Sequence, residues 1–328
     1  MTSPDGTVTK AGSAMKAVRF HQFGGPEVLR YEDIERPVPG AHQARIRVAA
    51  TSFNGVDAGI RAGCMQSSIP VRLPHTPGID VAGTVDALGS AVDDIAVGDP
   101  VVGFLPMTAA GAAAEYVLAP TEALTGVPKH MPLTDMAALP FVGLTAWQAL
   151  FDHAHLRPGH RILINGAGSA VGGYAVQLAK EFRAHVTATA SPCSETRVKA
   201  AGADEVIDYN FTDVTTAMTE PVDIVLNLAP VSARRLHTLF SLIRDGGKLV
   251  STTAGVPAPS DEKRGVRGID LFVRGDTDQL ADLVARVSTG ELLLDVAQRV
   301  ALADLPDLHA QARTGPLPGK VIVLAAPA

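Results

Sequence analysis

Ile162-Leu163-Ile164-Asn165-Gly166-Ala167-Gly168-Ser169-Ala170-Val171-Gly172 is an apolar run that enters a turn of small residues and then opens a helical pattern. Glycine and alanine let the backbone approach a ligand closely, and the free N–H groups and positive dipole at the start of a helix favour an anion, above all a pyrophosphate. Downstream, Val171, Ala175, Leu178, Ala179 and Phe182 fall on one helical face, with Gln177, Lys180 and Glu181 off it. Strand, glycine turn and helix thus come in the order a dinucleotide site requires. Gly166 and Gly168 fit G-x-G-x-x-G, whereas the last glycine, Gly172, falls one place late. An ordinary tight strand-to-helix turn is the alternative.

The 328 residues are 46% hydrophobic and 19% charged, enough for two folded domains with real cores. A formal charge of −6 provides no basic field, so no nucleic-acid role is expected. No apolar run approaches the roughly 18 residues that span a bilayer, and the first fourteen residues lack the apolar core of a secretion signal. Met1 to Ala14 read as a tail. Only Cys64 and Cys193 are present, which excludes a disulfide framework and a four-thiolate zinc site and points to a reducing cytoplasm.

From Lys16 to about Leu139 short β-like segments are broken by Pro and Gly. Ala44 to Val48 alternates like a strand with one wet face, and Val81 to Leu88, Val101 to Phe104 and Glu115 to Leu118 are further strands of a barrel-like β domain. After Pro140 strands and helices alternate. Arg161 to Ile164, His185 to Ala190, Glu205 to Ile207, Asp223 to Leu228 and Lys248 to Thr252 read as strands; Val171 to Phe182 and Ser232 to Ile243 read as helices. Such βαβα rhythm predicts an α/β domain with a doubly wound parallel sheet. Gly246-Gly247 is expected to end a helix and turn the chain into the next strand. A last helix from Thr277 stops at Gly290, and Gly319 to Leu324 reads as a closing strand that could return to the first domain.

Over nearly its whole length from Met15, the chain resembles the zinc-independent quinone oxidoreductase branch of the medium-chain dehydrogenase/reductase superfamily. The resemblance is carried by Met15-Lys16-Ala17-Val18 with Gly24 to Leu29, Asn54-Gly55-Val56-Asp57 with Arg61-Ala62-Gly63, and Pro77 to Gly83. It continues through Val97 to Gly103, Ala114 to Val117, Leu144 to Leu150, Ala175 to Lys180 and Gly202 to Tyr209. It implies a GroES-like β-barrel catalytic domain (15–139, with a return over 277–328) and an inserted Rossmann domain (140–276), the cofactor lying in the cleft between them. It also implies NADPH-dependent reduction of quinones or of C=C bonds conjugated to a carbonyl, and a homodimer. The chain departs from the family pattern at Ser169 and Ala170 in the turn, at Asn54-Gly55, and at Asn227-Leu228-Ala229 after the fourth Rossmann strand.

Alcohol dehydrogenases of the superfamily hold a catalytic zinc through a cysteine near the Asn54 loop and a His-Glu pair after the glycine at Gly78. Here those positions read Asn54 and Ile79-Asp80, so no metal is expected. A conjugated acceptor needs less polarisation than a simple carbonyl: hydride adds to its β-carbon, and a few hydrogen-bond donors suffice for the developing enolate. His185 to Ser191 ends the second Rossmann strand without the acid that NAD sites usually carry, so nothing repels a 2′-phosphate and NADP(H) is expected.

The candidate cofactor residues are Gly166, Ala167, Gly168, Ser169, Ala170, Val171 and Gly172, then Ser191, Arg197 and Tyr209, with Phe272 and Arg274 as residues that could close over the cofactor. Arg197 is equally read as a charge on an exposed helix face, Phe272 as a core phenylalanine and Arg274 as a surface arginine. Near the nicotinamide the resemblance points to Asn54, Asp57 and Thr145. Asn54 could donate to a substrate oxygen or serve as a turn residue; Asp57 reads as a structural hydrogen-bonder more than a general acid, because a carboxyl group needs a raised pKa to stay protonated at neutral pH. Cys64 could line the cleft or be a buried thiol. The substrate pocket is expected around Met65 to Arg72 and Phe104 to Ala113. The alternatives are an enone or enoyl-thioester reductase dedicated to one metabolite and a non-catalytic NADPH-binding protein.

Overall fold

A computed structural model describes residues 14–253 and 255–325; the expected tail lies, but for Ala14, outside them. Two sheets organise the chain. The first part contains β1 (Ala14–Phe20) and β2 (Leu29–Glu35), paired as an antiparallel hairpin. It continues with β3 (Gln43–Ser52), α1 (Gly55–Ala62), β4 (Asp80–Leu88), β5 (Pro100–Phe104), β6 (Tyr116–Pro120) and β7 (Leu124–Gly126). Along β3 the expected alternation holds: Ala44, Ile46, Val48 and Ala50 turn into the core.

Helices α2 (Leu133–Met136) and α3 (Pro140–Trp147) lead into a π-helical stretch, Gln148–His153, and then into the second part. That part comprises β8 (Arg161–Asn165), α4 (Ala170–Glu181), β9 (His185–Ala190), α5 (Pro192–Ala200) and β10 (Glu205–Asp208). After α6 (Val214–Ala217) come β11 (Val222–Asn227), α7 (Ala233–Ser241), β12 (Ile243–Ser251) and β13 (Arg267–Asp270). Its six strands are ordered β10-β9-β8-β11-β12-β13 and every pair is parallel. Counted within this domain the order is 3-2-1-4-5-6, the doubly wound Rossmann order. Helices cover both faces, which is why Ile162, Leu163 and Ile164 on β8 are all buried instead of alternating.

α8 (Thr277–Thr289) follows, capped by Gly290 in the left-handed conformation as expected. Residue 277, where the return to the first domain is expected to begin, opens this helix. Leu280, Leu283 and Val284 pack in the core shared with α3 and α4, and the chain rejoins the first sheet only at β14 (Val296–Ala301). After α9 (Leu305–Thr314), β15 (Lys320–Leu324) pairs antiparallel with β3, Ile322 opposite Ser52. The returning segment therefore adds β14 and β15 to the sheet built on β3, β4, β5 and β7.

Two expectations change. α7 stops at Ser241, and Gly246-Gly247 lies inside β12, where Gly246 has φ +77 and the pairing with β11 shifts register. The glycines accommodate a bulge, not a helix end. Both cysteines are exposed, Cys64 included, so it is not a buried thiol.

Candidate functional site: a phosphate cradle and an interdomain cleft

The ends of four parallel strands are stitched together beneath the glycine turn. Thr189 Oγ1 donates to Asn165 Oδ1 (2.9 Å), Asn165 Nδ2 to Asn227 Oδ1 (2.8 Å) and Asn227 Nδ2 to Ser251 Oγ (3.1 Å). Asn227, a departure from the family pattern, is thus fully buried and fully bonded. Gly166 takes φ +87 and donates its N–H to Thr189 Oγ1 (2.9 Å), which turns the chain out of β8. Ser169 then caps α4 by accepting from the N–H of Gly172 (3.1 Å).

Gly172 is late only in the motif's arithmetic. A Cβ there would overlap the backbone of Ala167, so the glycine lets the first turn of α4 press against the loop. The N–H groups of Gly168, Ala170 and Val171 have no hydrogen-bond partner among the described residues and gather at the start of a twelve-residue helix. Free donors at a helix start beside glycine fit a pyrophosphate.

The other expected cofactor residues divide. Ser191 caps α5 in a reciprocal box with Ser194, whose side chain lies where a Cβ on Gly168 would stand, so both serines adjoin the turn. Tyr209 is 53% exposed just after β10. Arg197 is not free to take a 2′-phosphate as it stands. It donates to the carbonyls of Gly168 (2.5 Å) and Pro318 (2.8 Å) and pairs with Asp295 (3.4 Å). Arg274 likewise does not reach over the cleft: its guanidinium is paired with Asp152 (3.0 Å) and Asp276, and Gln148 pins its backbone. Phe272 is 61% exposed and faces a cavity, so it is no core residue.

That cavity, of about 440 Å³, lies between the two domains. Ser68, Ile69 and the Phe104 to Thr108 loop form one wall, as expected; Phe272, Gly275 and Leu280 form the opposite wall, with Leu144 of α3 beside them. Thr145, next to Leu144, is buried and donates its hydroxyl to the Phe141 carbonyl (2.6 Å), which leaves its oxygen only as an acceptor.

Asn54 does not offer its amide to a substrate. Nδ2 donates to Asp80 Oδ2 (2.9 Å) and Ser52 Oγ (3.3 Å), while Oδ1 accepts from Lys320 Nζ (2.6 Å). Lys320 was missed in the sequence. It is 1% exposed and also meets Asp80 Oδ2 at 3.3 Å, while Asp80 Oδ1 accepts from the N–H of Phe141 at the start of α3 (2.8 Å). One carboxylate therefore joins the Asn54 loop, the closing strand and the helix that carries Thr145. Burial lowers the Lys320 pKa, and the adjacent Asp80 opposes the shift.

Asp57 makes a structural hydrogen bond: Oδ1 accepts from the N–H of Gly78 (2.9 Å), whose φ is +100. Its Oδ2 is buried without a partner among the described residues. Burial chiefly, with the charge of Asp80 adding to it against the Gly78 hydrogen bond, pushes the carboxyl up to about 7. A pKa raised above its unfolded value near 3.8 means that the native state holds this proton more tightly. The stabilisation is complete below about pH 4 and is lost as pH rises towards 7.

His75 and His309, held by burial down to about 4 and about 3, act in the opposite sense below their ordinary value of 6.5. Comparison with Asp57→Asn cancels them. Between pH 5 and pH 7 the wild-type protein should lose of order 2 kcal/mol relative to that variant, read from urea midpoints. Parallel pH profiles would refute the assignment.

A lobe of Rossmann topology, a β lobe that takes back the C-terminal strands and a cleft between them give the two-domain architecture seen in dehydrogenases. Residues 40–129 match the family model described as alcohol dehydrogenase GroES-like domain, and residues 201–323 the one described as zinc-binding dehydrogenase. The chain is 32% identical over 330 residues to the chloroplastic quinone-oxidoreductase QR1 of Triphysaria versicolor, covering 95% of this chain and 99% of that one. The solved quinone oxidoreductase of Coxiella burnetii superposes with a TM-score of 0.87 at 29% identity, over 96% of this chain and 100% of that one. A solved NAD-dependent alcohol dehydrogenase superposes equally well, with TM-score 0.87, 29% identity, 95% of this chain and 100% of that one. The chain belongs to the quinone oxidoreductase branch of the medium-chain dehydrogenase/reductase superfamily and is an oxidoreductase of that type. Among the described residues no three of His, Cys, Asp and Glu gather as a metal site, whatever the second family model's name.

Proposed function

We propose that this protein transfers hydride from NADPH to a quinone or to an α,β-unsaturated carbonyl. The observation that carries the proposal is the cradle of three N–H groups at the start of α4, unpaired among the described residues, beside a β9 that ends in Thr189-Ala190 and is followed by Ser191, without an acid. Gly168, Ala170 and Val171 would hold the pyrophosphate, and Ser191, Ser194 and Tyr209 flank the adenosine end. A nicotinamide cofactor supplies the hydride when bound. Leu144, Phe104 and Phe272 line the cavity with apolar surface that excludes water and holds a flat acceptor within reach.

The cavity lining carries Glu122 and Asp276 and, among the described residues, no lysine or arginine. This favours an uncharged acceptor over a phosphate-bearing thioester. A second copy of the chain would pair along an edge of the Rossmann sheet, whose outer strands are β10 and β13. The exposed thiols of Cys64 and Cys193 suit the reducing cytoplasm, and among the described residues no helix is long and apolar enough to cross a membrane.

The test is NADPH and NADH oxidation with menadione, 1,4-benzoquinone, cyclohexenone and crotonyl-CoA. Turnover of the neutral acceptors, with NADPH preferred, is expected. Binding of NADPH without oxidation by any acceptor would establish the non-catalytic alternative instead.

A further inference from the structure

Arg197 lies on α5, one turn beyond Ser194, and its guanidinium gathers three segments that are remote in sequence. Nη2 donates to the Gly168 carbonyl in the phosphate turn, Nη1 to the Pro318 carbonyl in the loop entering β15, and Nε faces the Asp295 carboxylate just before β14. Gly319 makes this approach possible: its φ is +148, and a Cβ there would fall on Nη1. The next residue is Lys320, anchored on Asn54 and Asp80. Asp295 also reaches the first turn of α4, 3.3 Å from where a Cβ on Gly173 would stand.

We propose that Arg197 is a positioning residue for the cofactor, a strap that fixes the phosphate turn to the returning C-terminal segment instead of a ligand of the 2′-phosphate. The proposal rests on the pyrophosphate site described above. With its carbonyl held by the guanidinium, Gly168 cannot turn that oxygen onto a bound anion, while its N–H stays free to donate. The same side chain places a fixed positive charge beside the cradle. A pyrophosphate is common to NADH and NADPH. Loss of the strap therefore weakens both cofactors by the same factor, whereas loss of a 2′-phosphate ligand weakens NADPH alone.

Wild-type protein, Arg197→Met and Arg197→Lys would be titrated with NADPH and with NADH, following the fluorescence of Trp147, the one tryptophan. Arg197→Met should raise both Kd values about tenfold, with Arg197→Lys recovering part of the loss. KM for both cofactors should rise more than kcat falls. An increase confined to NADPH would make Arg197 a 2′-phosphate ligand, and unchanged Kd values would leave the strap without consequence; either overturns the proposal. Wild-type protein that binds neither cofactor would overturn the pyrophosphate site itself. Should Arg197→Met not fold, Asp295→Asn, which removes only the carboxylate partner, should produce the same parallel weakening at about threefold.

Discussion

Lys320→Met should destabilise the protein by about 3–5 kcal/mol, the cost of leaving a buried carboxylate without its cation. Asp80 is fully buried and shares one oxygen among Ser52, Asn54 and Lys320. Methionine fills much of the lysine's volume with a flexible apolar chain, so the loss arises from charge and not from a cavity. Asn54 Oδ1 loses its donor as well. Asp80→Asn on the same background removes the stranded charge and should restore about 1–2 kcal/mol, a coupling that the double-mutant cycle isolates. Urea midpoints at pH 7 decide: a Lys320→Met midpoint within about 1 kcal/mol of wild type would mean that the pair does not hold the closing strand.

Gly172→Ala should weaken NADPH binding about a hundredfold, roughly 2.7 kcal/mol, and cost about 1–3 kcal/mol of stability through overpacking. The added methyl group would occupy the space of the Ala167 backbone. Relief requires the turn to move off the helix, and that displaces the N–H groups of Gly168, Ala170 and Val171 from one another. Ser169→Ala is the comparison: it removes the cap from Gly172, costs about 1 kcal/mol, and adds no atom to the turn. It should lower melting temperature with a far smaller effect on Kd. Equal Kd values for Gly172→Ala and wild type would show that the cradle is not the phosphate site.

The Rossmann half is legible because its signals are local. Ile162 to Ile164, the glycines after them and the apolar spacing of α4 depend on φ/ψ preferences and periodicity within a few residues. The acid-free end of β9, with Ser191 following it as the cap of α5, is legible for the same reason, since it depends on position along one strand. Gly246-Gly247 misleads because a helix end and a strand bulge both need a left-handed glycine, and only pairing with β11 distinguishes them.

Side-chain roles were less legible wherever the deciding partner lies far along the chain. Arg197 looks like a cation at a nucleotide site, but its donors are taken by the Gly168 and Pro318 carbonyls and its charge faces Asp295, the last two brought back by the closing segment. Asn54 looks like a free amide in a substrate loop until Lys320 arrives, 266 positions later, with Asp80 also engaged. A lysine opening a strand reads as solvated, and nothing beside it in the sequence says otherwise.

Family membership, the order of strands and helices, the glycine turn and the acid-free end of β9 were determined by the sequence alone, because backbone conformation and hydrophobic period are properties of neighbouring residues. Tertiary structure alone decided which polar side chains remain available for chemistry. A charge or amide becomes committed only when burial removes water and a distant partner replaces it, as Lys320, Asp80 and Asn54 do where β15 closes on β3.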